Sequence, residues 1–170
     1  MFSTVTFDTV RENTALPFGG EYHENGMRVT SASFNALIGD PLLMIPTNAV
    51  YFHGGGEYIE FSMLNGALFD LLSLDLITNV RPDRLIATSK NTAFIPVSPF
   101  GLTGAVSPIV FSGPEYSNLQ WFRISTIHFA TEVDNVTFQS NAVPEPSATL
   151  LLAGSLVGVL GYAWLRKQEA

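Results

Sequence analysis

Apolar and polar residues alternate in short runs along the first 140 positions, and turn-forming residues interrupt the runs at close intervals. This pattern predicts strands at Thr4-Phe7, Met27-Ser33, Ala49-Phe52, Tyr58-Leu64, Leu72-Ile77, Arg84-Thr88, Ala93-Val97, Pro108-Phe111, Gln120-Phe129 and Asn135-Gln139. Between them stand Gly19-Gly20, Asn25-Gly26, Gly54-Gly55-Gly56, Asn65-Gly66 and Ser112-Gly113-Pro114, residues that accept the dihedrals of tight turns. Leu68 to Val80 is ambiguous. Phe69, Leu72 and Leu76 fit a helical stripe, whereas Leu72, Leu74 and Leu76 fit strand alternation, and the β-rich surroundings favour a strand.

The pattern changes near the end. Ala148 to Leu165 are 18 residues without a charge. As a helix they would span roughly 27 Å, close to the hydrocarbon thickness of a bilayer. Tyr162 and Trp164 lie near one end, where amphipathic rings favour the interface, and Arg166 and Lys167 follow. Basic residues there orient that end toward the cytoplasm and place the preceding chain outside. A buried core helix is the competing reading, but Gly154, Gly158 and Gly161 would weaken it in water.

Composition sharpens this picture. The charged fraction is 14%, low for a globular chain, and the net charge is -7. Before Val143 six basic residues face thirteen acidic ones, with no basic run. A phosphate-backbone footprint is absent, which excludes nucleic acid as a partner. With no cysteine, disulfides, thiolate metal sites and cysteine nucleophiles are excluded as well.

Just before the apolar span stands Val143-Pro144-Glu145-Pro146-Ser147. Two prolines hold this segment extended, the shape a processing enzyme needs. Pro144, Glu145, Pro146 and Ser147, the Leu- and Gly-rich span, and the closing Arg166-Lys167 together resemble the PEP-CTERM sorting domain. The resemblance implies export, exosortase as processing partner, the inner membrane as anchor and an exopolysaccharide-producing bacterium as source. The tail closes on two basic residues where many members of the family carry more.

A second resemblance is one of texture. Phe7-Asp8, Gly20 to Met27, Phe69 to Leu76 and Val133 to Phe138 look like the ectodomains that often precede such tails, which are similar to galactose- or carbohydrate-binding jelly rolls. The expected fold is therefore all-β, a jelly-roll-like antiparallel β-sandwich followed by a single C-terminal transmembrane helix. Its expected parts are a β-sandwich ectodomain at 1–140, a Pro-Glu-Pro linker at 141–147, and a transmembrane helix with a short basic tail at 148–170, the sorting signal running from 143 to 168. The jelly-roll resemblance also implies that Thr4-Phe7 and Asn135-Phe138 are neighbours.

Enzyme signatures are absent: the sequence has no Gly-x-Ser-x-Gly, His-Glu-x-x-His, P-loop or dinucleotide fingerprint. His23, His53 and His128 are far apart; His53, beside Gly54-Gly55-Gly56, reads as a solvated turn histidine against the alternative of a ligand loop, and His128 as a surface residue of a strand. Jelly rolls often hold a structural calcium where the first and last strands meet, and Asp8, Glu132 and Asp134 are the nearest acids. Ordinary strand-end carboxylates are the plainer reading. Sugar binding would use aromatic rings stacked on a pyranose, with Tyr51, Tyr58, Tyr116 and Trp121 as candidates against the alternative of core packing. Trp121 and Phe122 are adjacent, so in a strand only one of them faces the core.

These readings converge on a non-catalytic surface or matrix protein, sorted by its tail and binding extracellular polysaccharide. The alternatives are a secreted glycan-active enzyme with a jelly-roll body and a structural spacer. Met1 to Asp8 already reads as a strand, so a signal peptide is expected upstream.

Overall fold

A computed structural model describes residues 2–9, 14–34, 36–39, 48–52, 57–77, 84–93, 95–97, 107–126 and 131–141. The strands are β1 (Phe2–Val5), β2 (Thr14–Ala15), β3 (Glu21–Glu24), β4 (Met27–Ser31), β5 (Leu37–Gly39), β6 (Ala49–Phe52), β7 (Tyr58–Met63), β8 (Phe69–Ile77), β9 (Arg84–Thr88), β10 (Ile95–Val97), β11 (Ser107–Val110), β12 (Trp121–Thr126) and β13 (Thr131–Ser140). A 3-10 turn, Pro114–Tyr116, precedes β12. Among the described residues no helix is long and apolar enough to cross a membrane, and the segment expected to do so, 148–170, lies outside them.

The strands form two antiparallel sheets in a sandwich-like arrangement. The first has the order β11-β8-β13-β6-β5-β2, with β1 also paired to β13. The second has the order β10-β9-β12-β7-β4-β3. The first and last strands are neighbours, as the jelly-roll resemblance implied, with Thr4 opposite Thr137 and Val5 opposite Val136. Alternate residues of both sheets point inward and fuse into one apolar core. From the second sheet come Met27, Val29, Ile59, Phe61, Phe122 and Ile124; from the first come Val50, Phe52, Leu74, Val133 and Phe138.

Three departures from the sequence reading have physical causes. The first strand stops at Val5, before its expected end at Phe7, because Phe7 adopts a left-handed φ of 61°. That conformation strains a residue with a Cβ, and burial of the ring against Tyr22, 5.3 Å away, opposes the strain. In β8 the buried residues are Phe69 and Leu71, then Leu74 and Leu76, so the inward set changes phase around Leu72. The β8–β13 register shifts between Asp134 and Thr137 and again between Thr137 and Phe138. Asn135 sits in the first shift at a φ of 48°, a conformation asparagine accepts at a bulge. Finally, β2, β3 and β5 carry no alternation signal that predicted them.

The β3–β4 hairpin turns on Asn25-Gly26, at φ 50° and 82°, the paired positive values that a two-residue type I′ turn requires. Glu24 beside this turn fastens the segment after β1. Its Oε2 accepts from the backbone N–H groups of Thr6 (3.1 Å) and Phe7 (3.0 Å) and from the Tyr22 hydroxyl (2.8 Å). Its Oε1 accepts from the Thr6 hydroxyl at 3.1 Å.

Loss of water around the ring pushes the Tyr22 phenol up to about 12; the bond to Thr9 pulls the other way, and the bond to Glu24 pushes with burial. The unfolded phenol loses its proton near pH 10. The contribution of Tyr22 to stability is therefore complete below about pH 10 and fades as pH rises toward about 12, because over that window the unfolded chain binds fewer protons. Urea midpoints measured across this window are expected to fall less steeply for Tyr22→Phe than for wild type. Parallel curves would contradict this assignment.

Candidate functional site

The outward face of the second sheet gathers the chemistry. Phe122 and Ile124 point into the core, so alternation places Trp121, Arg123 and Ser125 on the outer face, where Trp121 and Arg123 are half-buried and Ser125 is buried, donating to the Glu57 carbonyl at 2.9 Å. The β7–β12 register sets Tyr58 opposite Ser125, Glu60 opposite Arg123 and Ser62 opposite Trp121. The β4–β7 register continues these rows with Thr30 beside Glu60 and Arg28 beside Ser62. The β3–β4 pairing adds Glu21 beside Thr30 and His23 beside Arg28. One row thus reads Glu21, Thr30, Glu60, Arg123, and the next reads His23, Arg28, Ser62, Trp121.

Arg123 lies at the centre of this face. Its Nε donates to Glu60 Oε2 at 2.6 Å. Its guanidinium carbon lies 4.5 Å from the Tyr58 ring centroid and 4.4 Å from that of Trp121, a cation held between two rings. Arg28 donates from Nε to the Ser62 hydroxyl at 3.2 Å and approaches Glu21 at 3.8 Å. His23 meets Glu21 at 3.1 Å. The formal charges of the two guanidinium groups and the two carboxylates balance across this face, which is otherwise polar and aromatic.

The other two aromatic candidates lie elsewhere. Tyr51 is on β6 in the first sheet, opposite Glu132. Burial, and after it the Glu132 carboxylate, push its phenol above the ordinary value. Tyr116 belongs to the 3-10 turn and packs on Phe111 at 4.8 Å, closing the edge of the core. Its phenol is also raised, first by burial and then by Glu115.

The acids considered for calcium are placed as follows. Glu132 and Asp134 are both buried on β13. Asp134 stands opposite Asp75, and Asn135 Nδ2 donates to Asp75 Oδ2 at 2.8 Å and to Asp134 Oδ2 at 3.2 Å. Asp8 is in the turn after β1, where its Oδ1 accepts from the Asn48 N–H at 3.2 Å. Among the described residues no three His, Asp or Glu side chains gather closely enough to hold a metal ion. His53 and His128 lie outside the described residues.

The last described residue, Asn141, is fastened to the sandwich. The Asn141 N–H donates to the Leu68 carbonyl at 2.9 Å. Its side-chain amide donates to Asp70 Oδ1 at 2.8 Å and to Asn118 Oδ1 at 3.0 Å. Asp70 Oδ1 also accepts the Asn118 N–H at 2.7 Å. Residues 142–167, which begin at the next position, match the family described as the PEP-CTERM protein-sorting motif. The chain carries a PEP-CTERM sorting signal. The matched span differs by one residue at each end from the 143–168 read off the sequence. No curated protein matches the chain.

A PEP-CTERM signal marks an exported protein handled by exosortase and bears a membrane-anchoring sorting segment. Pro144, Glu145, Pro146, Ser147, Arg166 and Lys167 all fall inside the match and outside the described residues. On the sandwich, the structure brings Tyr58 and Trp121 onto one face and leaves Tyr51 and Tyr116 apart from them. Sequence reasoning missed Arg123, Glu60 and Arg28. For Arg123 and Glu60 the available signal was a position two residues from an aromatic and a serine in a strand, whose meaning depends on register; Arg28, between Gly26 and Thr30 at that spacing, carried no such signal.

Proposed function

We propose that this exosortase-sorted surface protein is a non-catalytic component of an extracellular polysaccharide matrix, its β-sandwich a jelly-roll-type module that binds polysaccharide. The tail spans the inner membrane once as a helix over 148–165, with the sandwich outside and Arg166 and Lys167 on the cytoplasmic side. The observation that carries this reading is the sorting motif at 142–167, which starts directly after Asn141, the last described residue, whose side chain is fastened to Asp70. The platform of the second sheet supports the binding part, since it offers stacking rings among paired hydrogen-bonding groups.

The test uses cells that make the complete gene product. The wild-type protein is expected in the envelope or on the surface, and a variant ending at Asn141 is expected free in the medium. A variant with Pro144, Glu145 and Pro146 all replaced by alanine is expected to accumulate unprocessed in the inner membrane. Wild-type protein soluble in cytosol with an intact carboxyl end would sink the sorting and membrane reading. A glycan-array screen followed by reducing-sugar assay tests the rest: binding without release supports a non-catalytic module, and release would make it an enzyme.

A further inference from the structure

We propose that the outward face of the second sheet binds an uncharged polysaccharide chain laid across the strands, with Trp121 and Tyr58 as stacking rings and Arg123 as the positioning residue between them. This inference rests on the polysaccharide-binding reading above and adds both the site and the ligand class.

The first part of the argument is geometry. Neighbouring strands lie about 4.8 Å apart, so a row crossing β3, β4, β7 and β12 extends roughly 14 Å. That length suits an extended oligomer better than a single small molecule. The row His23, Arg28, Ser62, Trp121 and the row Glu21, Thr30, Glu60, Arg123 run side by side. Each mixes donors with acceptors, as a hydroxyl-bearing ligand requires; Ser62 is itself buried and accepts from Arg28 Nε, so in its row His23, Arg28 and Trp121 are the groups that reach a ligand. Tyr58 and Trp121 supply the apolar surface against which the C–H face of a pyranose packs.

The second part is charge. Arg123 is joined to Glu60, and Glu21 lies between Arg28 and His23. The charges of the face are thus committed to one another, and the chain as a whole carries -7. An anionic polymer would meet net repulsion, and a cationic one would have to break pairs that already exist. An uncharged, hydroxyl-rich chain incurs neither cost.

The third part is rigidity. Arg123 is one-third exposed on the side chain, and Glu60 less, at 34% and 22%. A guanidinium wedged between two rings and tied to a carboxylate fixes the ring spacing before any ligand arrives, which lowers the ordering cost of binding. Lysine would keep the charge but lose the planar fork that stacks and hydrogen-bonds at once.

The experiment is affinity electrophoresis of the full chain in non-ionic detergent, through gels containing uncharged polymers (glucan, mannan, galactan and xylan) or an anionic polymer (alginate). Trp121 fluorescence and urea midpoints are followed in parallel. Retardation by at least one uncharged polymer and not by alginate is expected, with a shift in Trp121 emission on binding. Trp121→Ala and Arg123→Ala are each expected to weaken that binding about tenfold or more, a loss of roughly 1.4 kcal/mol. Arg123→Lys should fall between, and Tyr51→Ala on the opposite sheet should bind as wild type does.

If uncharged polymers retard the wild type and all variants equally, with urea midpoints showing them folded, the site is wrong although polysaccharide binding stands. If alginate alone retards the protein, the ligand class is wrong. If no polymer retards the wild type, polysaccharide binding itself fails and this inference with it, while the sorting result above is unaffected.

Discussion

Replacing Phe122 with alanine is expected to destabilise the sandwich by about 3–5 kcal/mol, the range for removing a fully buried aromatic ring. Phe122 has no exposed surface. Its ring stacks on Phe61 at 4.4 Å and 3°, and tilts against Phe69 at 6.1 Å. Phe69 in turn meets Phe138 edge-on at 6.2 Å. Phe61 and Phe122 belong to the second sheet, Phe69 and Phe138 to the first, so this line of rings is a contact through which the two layers hold together. Domains of this size have about 5–15 kcal/mol in total, so the variant should sit near the edge of folding. Phe122→Leu keeps much of the volume and should cost less than about 1.5 kcal/mol. Urea unfolding of the two variants against wild type checks both values. A midpoint for Phe122→Ala within error of wild type would mean the sheets do not meet through this ring.

The second large effect is expected at Glu24. Alanine there removes the shared acceptor of the Thr6 and Phe7 N–H groups and of two hydroxyls. Hydrogen bonds to a charged group contribute about 1.5–3 kcal/mol, and orphaned donors add their own penalty. Because Thr6 is only partly buried, water recovers some of this, and the expected loss is about 2–4 kcal/mol. Glu24→Gln keeps one oxygen in place and should lose roughly half as much. Hydrogen exchange locates the damage: the Thr6 and Phe7 amides and β1 should lose protection in Glu24→Ala, while β7 and β12 stay protected. Uniform loss across all strands would show that Glu24 supports the whole sandwich and not this one segment.

The sequence is most legible where a short apolar run stands between breakers, even where burial does not alternate: Ala49, Val50 and Phe52 are buried in one such strand, and Ile86, Ala87 and Thr88 in another. Ala49–Phe52 and Arg84–Thr88 were read to the residue, because apolar positions, β-branched residues and flanking breakers agree there. Glu21–Glu24 was not read. Among the described strands it ends its sheet, where the exposed Glu21 and His23 blunt the edge while Glu24 is tied to Thr6 and Phe7, so no apolar alternation marks it. In Phe69–Ile77 the strand was legible but its phase was not. A bulge depends on the partner strand, and Asn135, which bends that partner, is far away in sequence.

The site divides in the same way. That only one of Trp121 and Phe122 faces the core follows from period two, and Phe122 is the one buried. That Arg123 stacks between Trp121 and Tyr58 and pairs with Glu60 required register between strands separated by the whole β8–β11 region. The sorting motif was legible nearly in full because it is a linear signal, recognised without a fold.

The strand that leads into the tail has a mechanical consequence. β13 is flanked on one side by β8 along most of its length, and on the other by β6 at its start and β1 at its end. Tension applied through the tail runs along the axis of that strand and loads both ladders in shear, so their hydrogen bonds resist together instead of opening one after another. A tether joined at an outer strand would unzip the sheet from its rim. Joined at β13, drag on the sandwich is carried into the middle of the molecule, where the strands grip it from both flanks.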